Sequence, residues 1–255
     1  MPSRWWLPLQ GARPEQVKLE HLHAAVSRWF DKTPEQHAVG TKPYAISPLA
    51  RDVDSPGVGF ELATLTAETE ECLLERVAPP ATVRLGTDQA LLGRPRKTAT
   101  EDWSSLATPS GARSWDLEFA TPVTFRRGNR ASPLPVAGSV LRGLLDSWNC
   151  WSGMPDRQLT RQDTDEIWVS DIDGRSEPIT VSGVRMSAFV GRVRFRCDKQ
   201  VIADLVDPLF RLAPYAGVGS AKAKGLGVTR LHGAQDRRAP DRRSPDHRAR
   251  AAAVG

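Results

Sequence analysis

Cysteine is scarce in this chain: Cys72, Cys150 and Cys197 are the only three in 255 residues, odd in number and widely spaced. That indicates neither a disulfide framework nor a metal cluster, and it points to a reducing, cytoplasmic compartment. Long apolar runs are missing too, all of them far short of the ~20 residues that a membrane-spanning helix needs. The start, Met-Pro-Ser-Arg-Trp-Trp-Leu-Pro-Leu, holds a short apolar stretch broken by Pro8 and makes a poor signal peptide. Charge of one sign does not dominate. The formal net charge is +5, but Asp236–Gly255 carries six arginines against three aspartates, and without that segment about +2 remains. This excess leans toward a polyanionic partner and decides little alone. The same segment, rich in alanine and proline and free of aromatics, is expected to be disordered.

The common phosphate-binding signatures are absent as well. No Gly-Lys-Ser/Thr occurs, so there is no P-loop, and no Gly-x-Gly-x-x-Gly opens a helix. What the chain does have is Gly217-Val-Gly-Ser-Ala-Lys-Ala-Lys-Gly-Leu-Gly227, with the spacing Gly-x-Gly-x5-Gly-x-Gly. Glycines free a backbone to take positive φ, and successive N–H groups in such a loop form an anion site that Lys222 and Lys224 would reinforce. A tight connection is the plainer reading of the same glycines.

The segments around it alternate between strand and helix patterns. Trp5–Gly11 reads as a strand. Pro14-Glu15 open a helix with Leu19, Leu22, Val26, Trp29 and Phe30 on one stripe. Strands are expected over Lys42–Pro48, Val58–Thr66 and Ala81–Gly86, and a helix capped by Thr66 precedes the last of them. Residues 91–109 form a polar, basic connector that can still pair as strands. Ser114–Arg126 reads as a strand pair bent at Thr121-Pro122, Pro135–Trp151 as an amphipathic helix, and Ile167–Val169, Ile179–Arg185 and Val190–Cys197 as strands. A second amphipathic helix, Ile202–Leu212, precedes the glycine loop and a final strand over residues 227–231. The order strand-helix-strand-strand-helix-strand occurs twice, which is that of a ferredoxin-like unit. The expected fold is therefore α+β: two tandem ferredoxin-like (RRM-like) domains, 1–112 and 113–232, with a C-terminal glycine-rich loop and a disordered basic tail from 233 to 255.

Five histidines are present, and His232 and His247 lie at or in the tail. His21 and His23 sit on the first helix, and His37 lies in the loop after it, five residues before Lys42. Cutting RNA without a metal requires the 2′-hydroxyl to lose a proton as it attacks phosphorus and the departing 5′-oxygen to gain one. Histidine does either near neutral pH, and a lysine stabilises the charge that builds on the phosphate oxygens. Each of these residues also has a plain reading: a loop histidine as a surface residue, and one of the two helix histidines as a packing or capping residue. Arg192, Arg194 and Arg196 share one strand face, either solvated or tracking RNA. Arg126, Arg127 and Arg130 add a basic cluster. Trp5, Trp6, Trp29, Trp148, Trp151 and Trp168 read as core.

Taken together, several of these stretches resemble a known family. They are His21-Leu-His-Ala-Ala-Val-Ser-Arg-Trp-Phe30 with His37 through Pro48, Phe119-Ala-Thr-Pro-Val-Thr-Phe125 leading to Pro133-Leu-Pro135 and the helix to Asn149, and Pro214-Tyr-Ala-Gly-Val-Gly through Gly227. The set, spanning roughly residues 1–231, resembles the CRISPR precursor-RNA-processing endoribonucleases, the Cas-six family of RAMP proteins. The resemblance implies a metal-independent nuclease that cuts repeat RNA and leaves a 2′,3′-cyclic phosphate, with no cofactor and no membrane. His37 would be general acid or base and Lys42 its neighbouring lysine. His21 and His23 stand where some members have a tyrosine. The implied RNA contacts are Gly217, Gly219, Ser220, Lys222, Lys224, Gly225 and Gly227, with Arg126, Arg127, Arg130, Arg192, Arg194 and Arg196 beside them in a cleft between two sheets. The implied partners are CRISPR repeat RNA (pre-crRNA), interference-complex subunits and a second copy in a homodimer. The alternative is a non-catalytic RNA-binding subunit of a CRISPR ribonucleoprotein.

Overall fold

Inward-facing Trp5, Leu7 and Leu9 make β1 (Ser3–Gln10) the central strand of the first sheet. The computed structural model describes residues 1–35, 39–52, 57–78 and 81–233. The expected helix at Pro14 is a separate 3-10 turn, Pro14–Gln16, because the chain reopens into extended backbone at Val17. Helix α1 (Leu19–Phe30) then buries Leu22, Ala25 and Val26 against the sheet. Strands β2 (Tyr44–Ile46), β3 (Ala50–Arg51) and β4 (Val58–Thr64) follow. Helix α2 (Ala67–Arg76) starts at Thr66, whose side chain accepts from the N–H of Thr69, the cap read from the sequence. Strands β5 (Ala81–Leu85) and β6 (Asp88–Leu92) form a hairpin. The basic connector supplies β7 (Arg96–Thr100), paired antiparallel with β1, and a short helix α3 (Trp103–Ala107) around buried Leu106.

The sheet order is β2-β4-β1-β6-β5, with β3 beside β4 and β7 beside β1. Counting the β5–β6 hairpin as one terminal strand gives the order second-third-first-fourth of a ferredoxin-like unit.

The second unit repeats this. Strand β8 (Ser114–Val123) runs straight through Pro122 as one strand, not a bent pair. The bend follows it, in the small hairpin of β9 (Phe125–Arg127) and β10 (Arg130–Ser132). Helix α4 (Ala137–Trp151) buries Val140, Leu141, Leu144, Ser147 and Trp148, and the short α5 (Arg161–Asp165) carries a capping box from Thr160. Strands β11 (Ile167–Val181) and β12 (Val184–Cys197) form one long hairpin turning at Ser182-Gly183, so Ile179–Arg185 holds a turn where a strand was expected. Helix α6 (Gln200–Ala216) outruns its expected end at Leu212 and continues past Pro214, with Leu209, Phe210, Leu212, Ala213 and Ala216 buried. Strand β13 (Thr229–His232) completes the order β11-β12-β8-β13, again second-third-first-fourth.

Two hydrophobic clusters correspond to the two sheets, and each borrows from the other half: Leu65 packs in the second and Ala223 in the first. Glu61 of β4 accepts from Arg4 of β1 at 3.0 Å and from Arg230 of β13, an ionic bridge between the sheets. Of the tryptophans read as core, Trp5, Trp6 and Trp148 are buried, while Trp168 is 46% exposed under the Arg196 guanidinium. Strand β11 is an edge strand, and among the described residues no strand pairs with its outer side. No helix of the described residues is long and apolar enough to cross a membrane.

Candidate functional site

The glycine loop is built by backbone contacts that only glycine permits. The N–H of Val218 donates to the carbonyl of Gly227 at 2.8 Å, and that of Gly227 to Pro122 at 2.9 Å. Gly227 has φ +67°, and a Cβ there would sit 1.8 Å from the Val218 carbonyl oxygen. Gly219, at φ +80°, would bring a Cβ to 2.6 Å from the carbonyl of Thr124, the same carbonyl that accepts from the N–H of Ser220. The loop is thus stitched to the turn between β8 and β9. It also joins the two cores: Val218 packs in the second and Ala223 in the first.

Against the loop lies a cavity of about 410 Å³, lined from α1 by His23, from the following segment by Val39, Gly40, Thr41 and Lys42, from α4 by Gly143 and Asp146, and by Gly219–Lys224. His23 Nδ1 is 2.8 Å from the carbonyl oxygen of Ala223. A carbonyl only accepts, so Nδ1 carries the proton, and proton exchange with another group falls to Nε2. Lys42 Nζ makes a buried ion pair of 2.9 Å with Asp31, the residue that ends α1. Tyr44 also reaches Asp31 at 3.5 Å, and burial, together with the Asp31 charge, raises its phenol above the ordinary range.

The two loop lysines differ. Lys224 Nζ donates to Ser182 Oγ at 2.9 Å, and the N–H of Ser182 donates to Glu20 of α1 at 2.8 Å, so the tip of the long hairpin is docked beside the loop. That N–H holds the Glu20 carboxyl below its usual range. Lys222 Nζ donates instead to Ser147 Oγ on α4 at 2.9 Å, and burial pulls its ammonium down to about 8 against the opposing charge of Asp146.

A second cavity of about 710 Å³ continues past Gly143, Asp146, Gly219 and Ser220, all shared with the first. Its walls carry Arg126 and Arg127 of the β9–β10 hairpin, Arg142 of α4 and Arg161 of α5, against the carboxylates Asp146 and Asp165. Arg130 is exposed on the same hairpin. Together the cavities form a groove with a basic floor at one end and His23 at the other. Arg142, Asp146 and Ser147 do not stand out in the sequence. A signal for Ser147 is nonetheless there: a small hydroxyl on the buried stripe of α4, beside Trp148.

Other expected site residues lie elsewhere. His37 is outside the described residues; Val39, two positions on, lines the first cavity. His21 packs against Gly86 and lines neither cavity, and its buried Nδ1 has no hydrogen-bond partner among the described residues. Arg192, Arg194 and Arg196 alternate with the buried Val193, Phe195 and Cys197, so they face away from α4, α6 and the groove. Arg192 and Arg194 both grip Asp116, at 2.7 and 2.8 Å, and stand across from Asp173 and Asp171 in the β11–β12 ladder. Among the described residues no three of His, Cys, Asp and Glu come together as a metal-binding group.

Residues 117–229, from β8 through the glycine loop, match the model of the CRISPR-associated endoribonuclease Cas6 family. That segment is similar to the Cas6 family. No curated protein matches it significantly in sequence. Among solved structures, a Cas6 (TTHA0078) product complex is 22% identical with a TM-score of 0.78, covering 91% of this chain and 99% of its own. The H37A mutant of that protein gives 20% identity and a TM-score of 0.73 with the same coverage. Thermus thermophilus Cas6 (TTHB231) gives 20% and 0.67, covering 91% and 98%. At these identities the likeness speaks for the fold: a Cas6 fold with tandem ferredoxin-like units.

Proposed function

We propose that this protein processes CRISPR precursor RNA, cutting within each repeat by a metal-independent transesterification. The ribose 2′-oxygen attacks the adjacent phosphorus, and the bond to the 5′-oxygen breaks. The products are a 2′,3′-cyclic phosphate and a free 5′-hydroxyl. One histidine takes the 2′-proton and another supplies the proton that the leaving oxygen needs. The observation that carries this reading is the cavity in which His23, Lys42 and the glycine loop meet.

His23 and His37 fill the two proton-transfer roles. His23 has Nδ1 committed to the Ala223 carbonyl, and Nε2 is the nitrogen assigned to proton transfer. His37 precedes the cavity wall by two residues, and a solved relative of this fold was studied as an H37A mutant. His21, packed on Gly86, is left out. Lys42, paired with Asp31 at the end of α1, stands in the cavity wall. Gly217–Gly227 holds the RNA backbone, with Lys224 at its exposed edge, and Arg126, Arg127 and Arg130 extend that hold along the groove. Arg192 and Arg194, tied to Asp116 on the far face, are not counted in this interface. The working domains are 1–112, with the histidines, and 113–232, with the loop. The mature guide RNA would remain bound or pass to an interference complex in the cytoplasm.

The test is a single-turnover incubation with repeat RNA in EDTA. One discrete cut with a cyclic-phosphate end is expected, blocked by a 2′-deoxy nucleotide just upstream of the cut. Intact RNA bound tightly by the wild-type protein would identify a binding subunit instead.

A further inference from the structure

Lys222 and Lys224 are two residues apart in a glycine loop and invite one explanation: charge for phosphates. Their surroundings separate them. Lys224 Nζ sits at an exposed contact with Ser182. The stem of Lys222 passes Gly217, where a Cβ would lie 3.3 Å from its Cδ, and its ammonium ends on Ser147 Oγ. Ser147 is fully buried, and its hydroxyl donates to the Gly143 carbonyl at 3.0 Å, so its oxygen is oriented to accept from Lys222. The next residue, Ala223, is gripped from the opposite side by His23 of α1. Consecutive loop residues are therefore held by α4 and by α1.

We propose that Lys222 is a positioning residue for His23: by anchoring the loop on Ser147 it fixes the Ala223 carbonyl that sets the ring's tautomer and aim. The inference rests on the role given to His23 above. Gly227 and Gly219 hold the ends of the loop, but the segment Ala221–Lys224 has left-handed backbone at Ala221 (φ +60°) and only a three-residue 3-10 turn of its own. The reach of Lys222 to Ser147 adds a tether to α4, beside the packing of Ala223 in the first core. The charged and titratable groups around the Lys222 head are Asp146 and Cys150 on α4, His23 on α1, and Lys42 and Lys224 lining the same cavity. Burial has already weakened the lysine's hold on its proton, which suits a strut and not an exposed phosphate contact.

The experiment compares Lys222→Met, Ser147→Ala and Ser147→Thr in single-turnover cleavage and in RNA binding. Lys222→Met and Ser147→Ala should each slow cleavage at saturating RNA about tenfold with Kd changed less than about threefold, and Ser147→Thr, which keeps the hydroxyl, should restore the rate. In a His23→Ala background, Lys222→Met should add nothing. A weaker Kd with an unchanged saturating rate would overturn the inference and make Lys222 a phosphate contact. If Lys222→Met fails to fold, the Ser147 pair draws the same distinction. Failure of the wild type to cut, or full cutting by His23→Ala, removes the underlying reading; impairment of His23→Ala without impairment of Lys222→Met or Ser147→Ala removes only this inference.

Discussion

His23 Nδ1 and the carbonyl oxygen of Ala223 lie 2.8 Å apart across 200 residues of sequence. The contact fixes a helix of the first ferredoxin-like unit to the glycine loop of the second. It also distinguishes the two histidines that flank Leu22 on α1. His23→Ala is expected to lower the single-turnover cleavage rate by about 10²–10⁴-fold with RNA affinity changed only severalfold. His21→Ala should cut within about twofold of wild type. Equal losses for the two variants would undo the assignment.

The Lys42–Asp31 pair is a stability element as well as a wall of the site. Their side chains are 10% and 6% exposed, so removing either partner leaves a charge that water reaches poorly. Asp31→Asn should cost about 2–3 kcal/mol in denaturant unfolding. The double variant Lys42→Met/Asp31→Leu should recover most of it, because neither buried charge remains. An Asp31→Asn protein as stable as wild type would mean that the pair is solvated in solution.

The glycine loop, the Thr66 cap and both unit topologies are legible in the sequence because each rests on local chemistry: backbone that only glycine adopts, a hydroxyl over a helix start, alternation of apolar residues. Long-range pairings are not. That Lys97 and Arg96 belong to a strand on β1, and that the β11–β12 hairpin is built from strands of fifteen and fourteen residues, depends on partners distant in sequence. The arginine stripe of β12 shows the limit most plainly. Its alternation puts the three on one face, but only the fold reveals that Asp116 on β8 pairs with two of them, or that the groove forms on the opposite side of the sheet. Trp168 reads as core from its residue type alone, whereas an edge strand leaves it half open.

The basic end of the groove makes an ionic-strength prediction. Arg126, Arg127 and Arg142 line the larger cavity from two elements, and each phosphate that such a group neutralises steepens the fall of affinity with salt. Replacing any one by Ala should reduce the slope of log Kobs against log salt by about 0.7–0.9, measured by filter binding from low to moderate salt. Arg192→Ala should leave that slope unchanged, since its guanidinium is already held by Asp116. An altered slope for Arg192→Ala alone would place the RNA on the other face of the sheet.

Lys222 should also be visible in the pH dependence of stability. Burial lowers its ammonium from 10.5 to about 8 in the folded protein. Between those values the unfolded chain carries a proton that the folded chain has lost, and stability rises with pH wherever the unfolded state binds more protons. Relative to Lys222→Met, the wild type should therefore gain stability from about pH 8 to about pH 10.5, by roughly 1–3 kcal/mol in all, and the difference should be flat below pH 8. Other groups titrate alike in both proteins, so the subtraction isolates this one. A difference constant across the whole range would mean that the ammonium stays hydrated and that its contact with Ser147 is not maintained in solution.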